Sequence, residues 1–173
     1  MMHHDGYITV DSEVGKGTGF RLYLPAEENV SADENISSSS GKRKHIIKAR
    51  ILIMDDESEI RNLLSEMLRY LGHEAFAVAD GDAAIEAYQK SLAEKTPFDL
   101  VIMDLTVPGN MGGKELIRHL LEIDSGVRAI VSSGYSNDPV LANFRDYGFM
   151  DLIAKPYHFD RLKEILCNVL PCE

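Results

Sequence analysis

Ile51-Leu52-Ile53-Met54-Asp55-Asp56 is four apolar residues closed by two acids. A run this short with no polar face reads as a strand buried on both sides. Three further runs have the same form. Leu100-Val101-Ile102-Met103 leads into Asp104, Ala129-Ile130-Val131-Ser132 leads into Ser133, and Leu152-Ile153-Ala154 leads into Lys155, which precedes Pro156. Strands buried on both faces belong to parallel sheets, and an open parallel sheet binds its ligands beyond the strands' carboxyl ends. Three carboxylates, one hydroxyl and one ammonium are therefore expected to converge on one crevice.

Helical patterns separate these strands. Ile60, Leu63, Leu64, Met67, Leu68 and Leu71 recur at the spacing of one helix face, and Gly72 supplies a stop. Glu74 to Val78 reads as a short strand. Asp80 or Asp82 is placed to cap a second helix carrying Ala83, Ala84, Ile85, Ala87, Tyr88 and Leu92. A third helix is predicted from about Gly113 to Glu122. The fourth strand is predicted over 128–132, and a fourth helix from Pro139 to near Gly148. Asp151 to Ala154 is the fifth strand. A last helix carries Phe159, Leu162, Ile165, Leu166, Val169 and Leu170. Five βα units in this length predict an α/β fold, a doubly wound, flavodoxin-like five-stranded parallel sheet with about five helices.

The chain before Arg50 is different. Tyr7-Ile8-Thr9-Val10 and Phe20-Arg21-Leu22-Tyr23-Leu24 flank Gly15-Lys16-Gly17-Thr18-Gly19, which predicts a short β-hairpin with a glycine-rich connection. Residues 27–49 hold an acidic stretch, Ser37 to Ser40, Gly41 and the basic run Lys42-Arg43-Lys44-His45, with no periodicity. Such a composition reads as a flexible linker with a coil span of about 25–30 Å. The expected division is thus 1–26, 27–49 and 50–173.

Composition narrows the function. The 173 residues carry a net charge of -10, and residues 50–173 hold 12 Lys/Arg against 21 Asp/Glu. An acidic body argues against nucleic-acid binding, which needs a basic footprint. No apolar stretch is long enough to span a bilayer, so no membrane contact is expected of this segment. Cys167 and Cys172 lack metal-type spacing and read as reduced cytosolic thiols.

Asp55, Asp56 and Asp104 would gather about three negative charges, and a hard divalent cation such as Mg²⁺ relieves that repulsion with oxygen ligands. Lys155 adds one positive charge. Two charges from the metal and one from lysine balance three carboxylates, which suits the site to a phosphoryl group.

Taken in order along the chain, these motifs are similar to the receiver domain of two-component response regulators, over residues 50–171. The resemblance implies that Asp104 accepts a phosphoryl group from a phosphohistidine and later loses it slowly to water. It implies that Asp55, Asp56, Asp104 and the backbone carbonyl of Thr106 hold Mg²⁺, with Mn²⁺ as a substitute. Ser133 would close on the phosphoryl group, Lys155 would pair with the acceptor carboxylate and the phosphate, and the Lys155-Pro156 bond would be cis. The expected partners are a histidine kinase core or a histidine phosphotransfer protein, and the expected assembly is a monomer or weak dimer in the cytoplasm. Gly6 to Ser12 with Gly15 to Phe20 and Leu24-Pro25 resembles the end of a histidine-kinase ATP-binding domain. Kinase tail, linker and receiver in that order resemble a hybrid sensor histidine kinase with a membrane-associated parent. The asparagine and first glycine boxes that bind Mg²⁺-ATP are missing, so only self-phosphorylation and autodephosphorylation are expected here.

Two departures stand out. The acceptor loop from Asp104 to Gly113 is one residue longer than the commonest form, and its adjacent glycines predict added mobility. Leu152 stands where many receivers carry an aromatic switch, while Tyr135 borders the site. Two other readings are an aspartyl-phosphate phosphohydrolase and a phosphate-independent dimerisation module. Thr106 disfavours the first, because such hydrolases place a second aspartate there.

Overall fold

The computed structural model describes residues 7–13, 15–23, 48–134 and 139–170. The chain divides into two units, residues 1–42 and 43–173. The expected linker, apart from its last two residues, lies outside the described residues, as do Tyr135 and Cys172.

In the first unit, β1 (Tyr7–Glu13) pairs antiparallel with β2 (Gly17–Tyr23). The hairpin is longer than its apolar residues suggest. Gly17, Thr18 and Gly19 belong to β2, opposite Glu13, Ser12 and Asp11. The expected glycine-rich connection therefore shrinks to the residues around Gly15, whose φ of 82° favours glycine. Ile8 faces Leu22 and Val10 faces Phe20, so four apolar side chains share one face.

In the second unit, β3 (Arg50–Met54), β4 (Glu74–Val78), β5 (Leu100–Asp104), β6 (Ala129–Ser133) and β7 (Asp151–Ala154) form one parallel sheet in the order β4-β3-β5-β6-β7. The continuous apolar runs of β3, β5 and β6 are explained by burial on both sides, whereas β7, at the sheet edge, is only partly buried, with Ala154 exposed. Leu52, Met54, Val101, Met103, Ala129 and Val131 point to one face, where α2 (Gly81–Ala93) and α3 (Gly113–Ile123) add Ala84, Tyr88, Leu116, Ile117 and Leu120. Ile51, Ile53, Leu100, Ile102, Ile130 and Ile153 point to the other, against Leu64 and Leu68 of α1 (Ser58–Tyr70). Leu162, Ile165 and Leu166 of the last helix (Phe159–Val169) complete that layer. Each Val, Leu, Ile or Met side chain among these, fully buried, is worth about 1.5–3 kcal/mol. Asp80 caps α2, its carboxylate accepting from the Ala83 amide at 2.9 Å.

The expected fourth helix is broken. It forms one turn, α4 (Pro139–Ala142), then leaves the helical region at Asn143 (φ −129°, ψ 34°) and resumes as a 3₁₀ turn over Phe144–Tyr147. Gly148 closes it at φ 96°. A Cβ there would approach Leu121 Cδ1 to 2.7 Å, so the segment follows the surface of α3 rather than its own helical preference. The last helix is accordingly α5.

Candidate functional site

Strand register alone aligns the polar groups. Met54 pairs with Met103, so Asp55 follows beside Asp104. Asp104 pairs with Ser132, which sets Ser133 one step beyond, and Ser133 pairs with Ala154, which sets Lys155 next. The Lys155 amide donates to the Ser133 carbonyl at 2.9 Å, extending this ladder to the lysine. The Lys155-Pro156 bond is cis, as expected.

Lys155 Nζ lies 2.7 Å from Asp104 Oδ2 and 2.7 Å from Asp55 Oδ2. One ammonium thus joins acids from two strands, 51 and 100 residues away in sequence. Carboxylate oxygens of Asp55, Asp56 and Asp104 come within 4.8 Å of one another. Thr106 donates its amide to Asp104 Oδ1 at 3.4 Å. Asp56, Asp104, Thr106, Ser133 and Lys155 line a common cavity of about 230 Å³ with Glu57, Pro108 and Gly134. All six residues named from the sequence are therefore brought together.

Burial holds the Asp104 carboxyl above its ordinary range, and the Asp55 charge adds to that, while the Lys155 ammonium and the Thr106 amide oppose it. Burial pulls the Lys155 ammonium down, but its two carboxylate partners outweigh this and push it above the usual lysine range. Asp55 Oδ2 is buried without an aligned hydrogen bond, close as the ammonium is. A buried carboxylate oxygen so placed, beside two further acids, is the donor set a hard cation takes.

Four contributors are not evident from the strand ends. Arg61 Nη1 donates to the Asp55 and Asp56 carbonyls at 2.7 and 2.9 Å, tying α1 to the acidic loop. Glu57 Oε1 lies 3.6 Å from Lys155 Nζ. Ser132 Oγ and Tyr157 OH share a hydrogen bond of 2.7 Å beneath the site. Burial chiefly pushes the Tyr157 phenol up to about 12, so it stays protonated. Glu57 could have been found as a third consecutive acid and Tyr157 by its place two residues after Lys155. Arg61 and Ser132 carry no such signal.

The adjacent glycines Gly112 and Gly113 serve close packing. A Cβ at Gly112 would meet the Leu105 carbonyl oxygen at 2.5 Å, and one at Gly113 would meet the Asp104 carbonyl oxygen at 2.6 Å. The start of α3 is thus pressed against the end of β5.

A doubly wound parallel sheet with an acid cluster and a lysine at its carboxyl edge defines a phosphoryl-accepting signalling module. The family of the response regulator receiver domain matches residues 51–167, and the chain belongs to that family. It is 29% identical over 126 residues to sporulation initiation phosphotransferase F of Bacillus subtilis, covering 73% of this chain and 97% of that protein. It is 29% identical over 171 residues to sensor kinase CckA of Brucella abortus, covering 95% of this chain but 18% of the kinase. Among solved structures, response regulator TrrA of Thermotoga maritima, in complex with Mg²⁺ and BeF, is similar at a TM-score of 0.62 and 29% identity, over 70% of this chain and 99% of that one. Receiver domains act in two-component signalling by accepting a phosphoryl group on an aspartate with Mg²⁺, in exchange with histidine kinases or phosphotransfer proteins. Among the described residues no helix is long and apolar enough to cross a membrane.

Proposed function

We propose that Asp104 is the phosphoryl acceptor of this chain, that Asp55, Asp56, Asp104 and the Thr106 carbonyl hold the cation, and that Lys155 and Ser133 receive the phosphoryl oxygens. The observation that carries this reading is the bridge of Lys155 Nζ to Asp104 Oδ2 and Asp55 Oδ2 at the mouth of a cavity wide enough for a phosphoryl group. Bound Mg²⁺ would supply two positive charges against the phosphoryl oxygens. Mn²⁺, which takes the same oxygen ligands, is the expected substitute. A carboxylate oxygen of Asp104 forms the new bond to phosphorus as the P–N bond of a phosphohistidine breaks, its electron pair returning to the imidazole. Lys155 holds the acceptor in place and meets the developing charge. Incubation with a small phosphodonor and Mg²⁺ should label the protein, and Asp104→Asn should reduce labelling to background. Equal labelling of the variant would sink the assignment.

We further propose that residues 1–26 are the end of a kinase ATP-binding domain, 27–49 a linker and 50–173 the receiver, in a cytoplasmic portion of a longer kinase. Ile8, Val10, Phe20 and Leu22 are 59–70% exposed on one face of a hairpin that pairs with no further strand among the described residues, and a two-stranded hairpin is marginal without a covering layer. The rest of such a kinase domain is the layer that would cover it, and the alignment with the sensor kinase runs through this segment. The acidic balance supports a monomer or weak dimer without a nucleic-acid partner. Limited proteolysis followed by sedimentation tests both points. Early cuts within 27–49 should leave a protected, largely monomeric fragment; protection of the linker or a tight dimer would count against them.

A further inference from the structure

Glu57 stands where α1 begins, in the position from which a side chain ordinarily caps the first free amides. Its backbone is extended (φ −81°, ψ 111°), yet its side chain makes no capping hydrogen bond. Its own amide donates to Asp55 Oδ1 at 3.0 Å, which fixes the direction in which the residue leaves the loop. The carboxylate lies 3.6 Å from Lys155 Nζ, and the residue lines the acceptor cavity. The Arg61 guanidinium is held by two main-chain carbonyls. Three carboxylates, those of Asp55, Asp104 and Glu57, therefore lie within 3.6 Å of one ammonium. With Asp56 beside Asp55 and Asp104 the cavity holds four acids, and the balance of three acids against lysine and a divalent cation no longer closes.

We propose that Glu57 sets the balance between cation and phosphoryl binding in the acceptor cavity: its carboxylate strengthens the hold on a divalent cation and competes with phosphoryl oxygens for Lys155. The proposal rests on the receiver reading of the site. Both effects follow from one negative charge, attractive to the cation and repulsive to a phosphoryl dianion that must reach the same ammonium. The Glu57 side chain is 61% exposed, so water and salt screen it. Two unit charges about 4 Å apart in water interact by about fivefold in a binding constant, which sets the scale of both effects.

Two calorimetric titrations of the full chain test this: Mg²⁺ alone, then beryllofluoride, a phosphoryl mimic, at saturating Mg²⁺. Glu57→Gln should bind Mg²⁺ about fivefold more weakly and beryllofluoride about fivefold more tightly. Opposite signs are diagnostic, because a loosened loop would weaken both. Glu57→Ser, which restores a capping hydroxyl, should show the same pair of opposite shifts and serves if the first variant folds poorly. Constants unchanged, or both weakened, in a folded variant overturn the proposal. Failure of the unaltered chain to bind beryllofluoride with Mg²⁺ would instead overturn the receiver reading itself.

Discussion

The two ends of the five-stranded sheet both hold charged groups, and they treat them in opposite ways. At the amino end, Arg50 donates its amide to Asp99 Oδ2 at 2.7 Å, and Asp99 returns its amide to the Arg50 carbonyl at 2.8 Å. The Arg50 guanidinium lies 4.8 and 5.2 Å from the ring centres of Phe76 and Phe98 and meets Glu74 at 3.5 Å. His73, 3% exposed, accepts the Ala49 amide on Nδ1 at 3.2 Å. Apart from His73 Nε2, which is buried without a hydrogen-bond partner, side chains there are matched to main chain and rings, which closes that end of the domain. At the carboxyl end, acids are matched to one shared lysine around an open cavity, and like charges remain close together. Polar groups satisfied by the backbone build structure. Polar groups set against each other around a cavity are poised for a ligand, here a cation and a phosphoryl group.

The sharpest break in this contrast is Lys155→Met. It leaves Asp55 and Asp104 facing each other without their cation, and removing one partner of a buried pair costs about 3 kcal/mol or more. The expected result is loss of phosphodonor labelling and a lowered urea midpoint that Mg²⁺ restores more fully than in the parent. A midpoint insensitive to both changes would mean that the carboxyl end is ordinary structure. Next in size is His73→Ala at the amino end. It leaves the buried Ala49 amide without its acceptor, at a cost of about 1–3 kcal/mol. Labelling should be unchanged, and lost labelling would show that the two ends are coupled.

The smallest effect is in pH. Burial holds the His73 imidazole below its ordinary 6.5, with the Asp99 charge opposing. A group with a depressed folded pKa stabilises the fold above its unfolded value, and that contribution is lost as pH falls through the folded one. Stability should therefore begin to fall as pH drops below 6.5, and His73→Ala should flatten this slope. Parallel slopes in equilibrium unfolding would contradict the assignment.

Much of the fold was legible because its three central strands are buried on both faces. Ile51 to Met54 and Leu100 to Met103 could serve nothing but a covered parallel sheet, and α1 showed its inward face by spacing alone. The fourth helix was not legible. Its residues suit a helix locally, but Asn143 and the approach of Gly148 to Leu121 divide it. Gly112 and Gly113 read as loosening signals for a similar reason. A glycine's conformational freedom is visible in sequence, whereas the carbonyl oxygens that forbid a Cβ are not. In the site, Asp55, Asp104, Ser133 and Lys155 were visible because each directly follows or ends a strand. Arg61 and Tyr157 act through partners that are not evident from local patterning.

By itself, then, the chain's order of apolar runs and polar ends determined the parallel sheet, the edge on which chemistry gathers and the kinds of group that gather there. Hydrophobic periodicity is local, and register carries it across the sheet without further information. Only the tertiary structure decided that one lysine bridges two acids, that Arg61 holds their carbonyls and that Glu57 unbalances the charge. Those facts depend on distances of a few ångströms between residues far apart in the chain, where Coulomb energy changes steeply and sequence spacing says nothing.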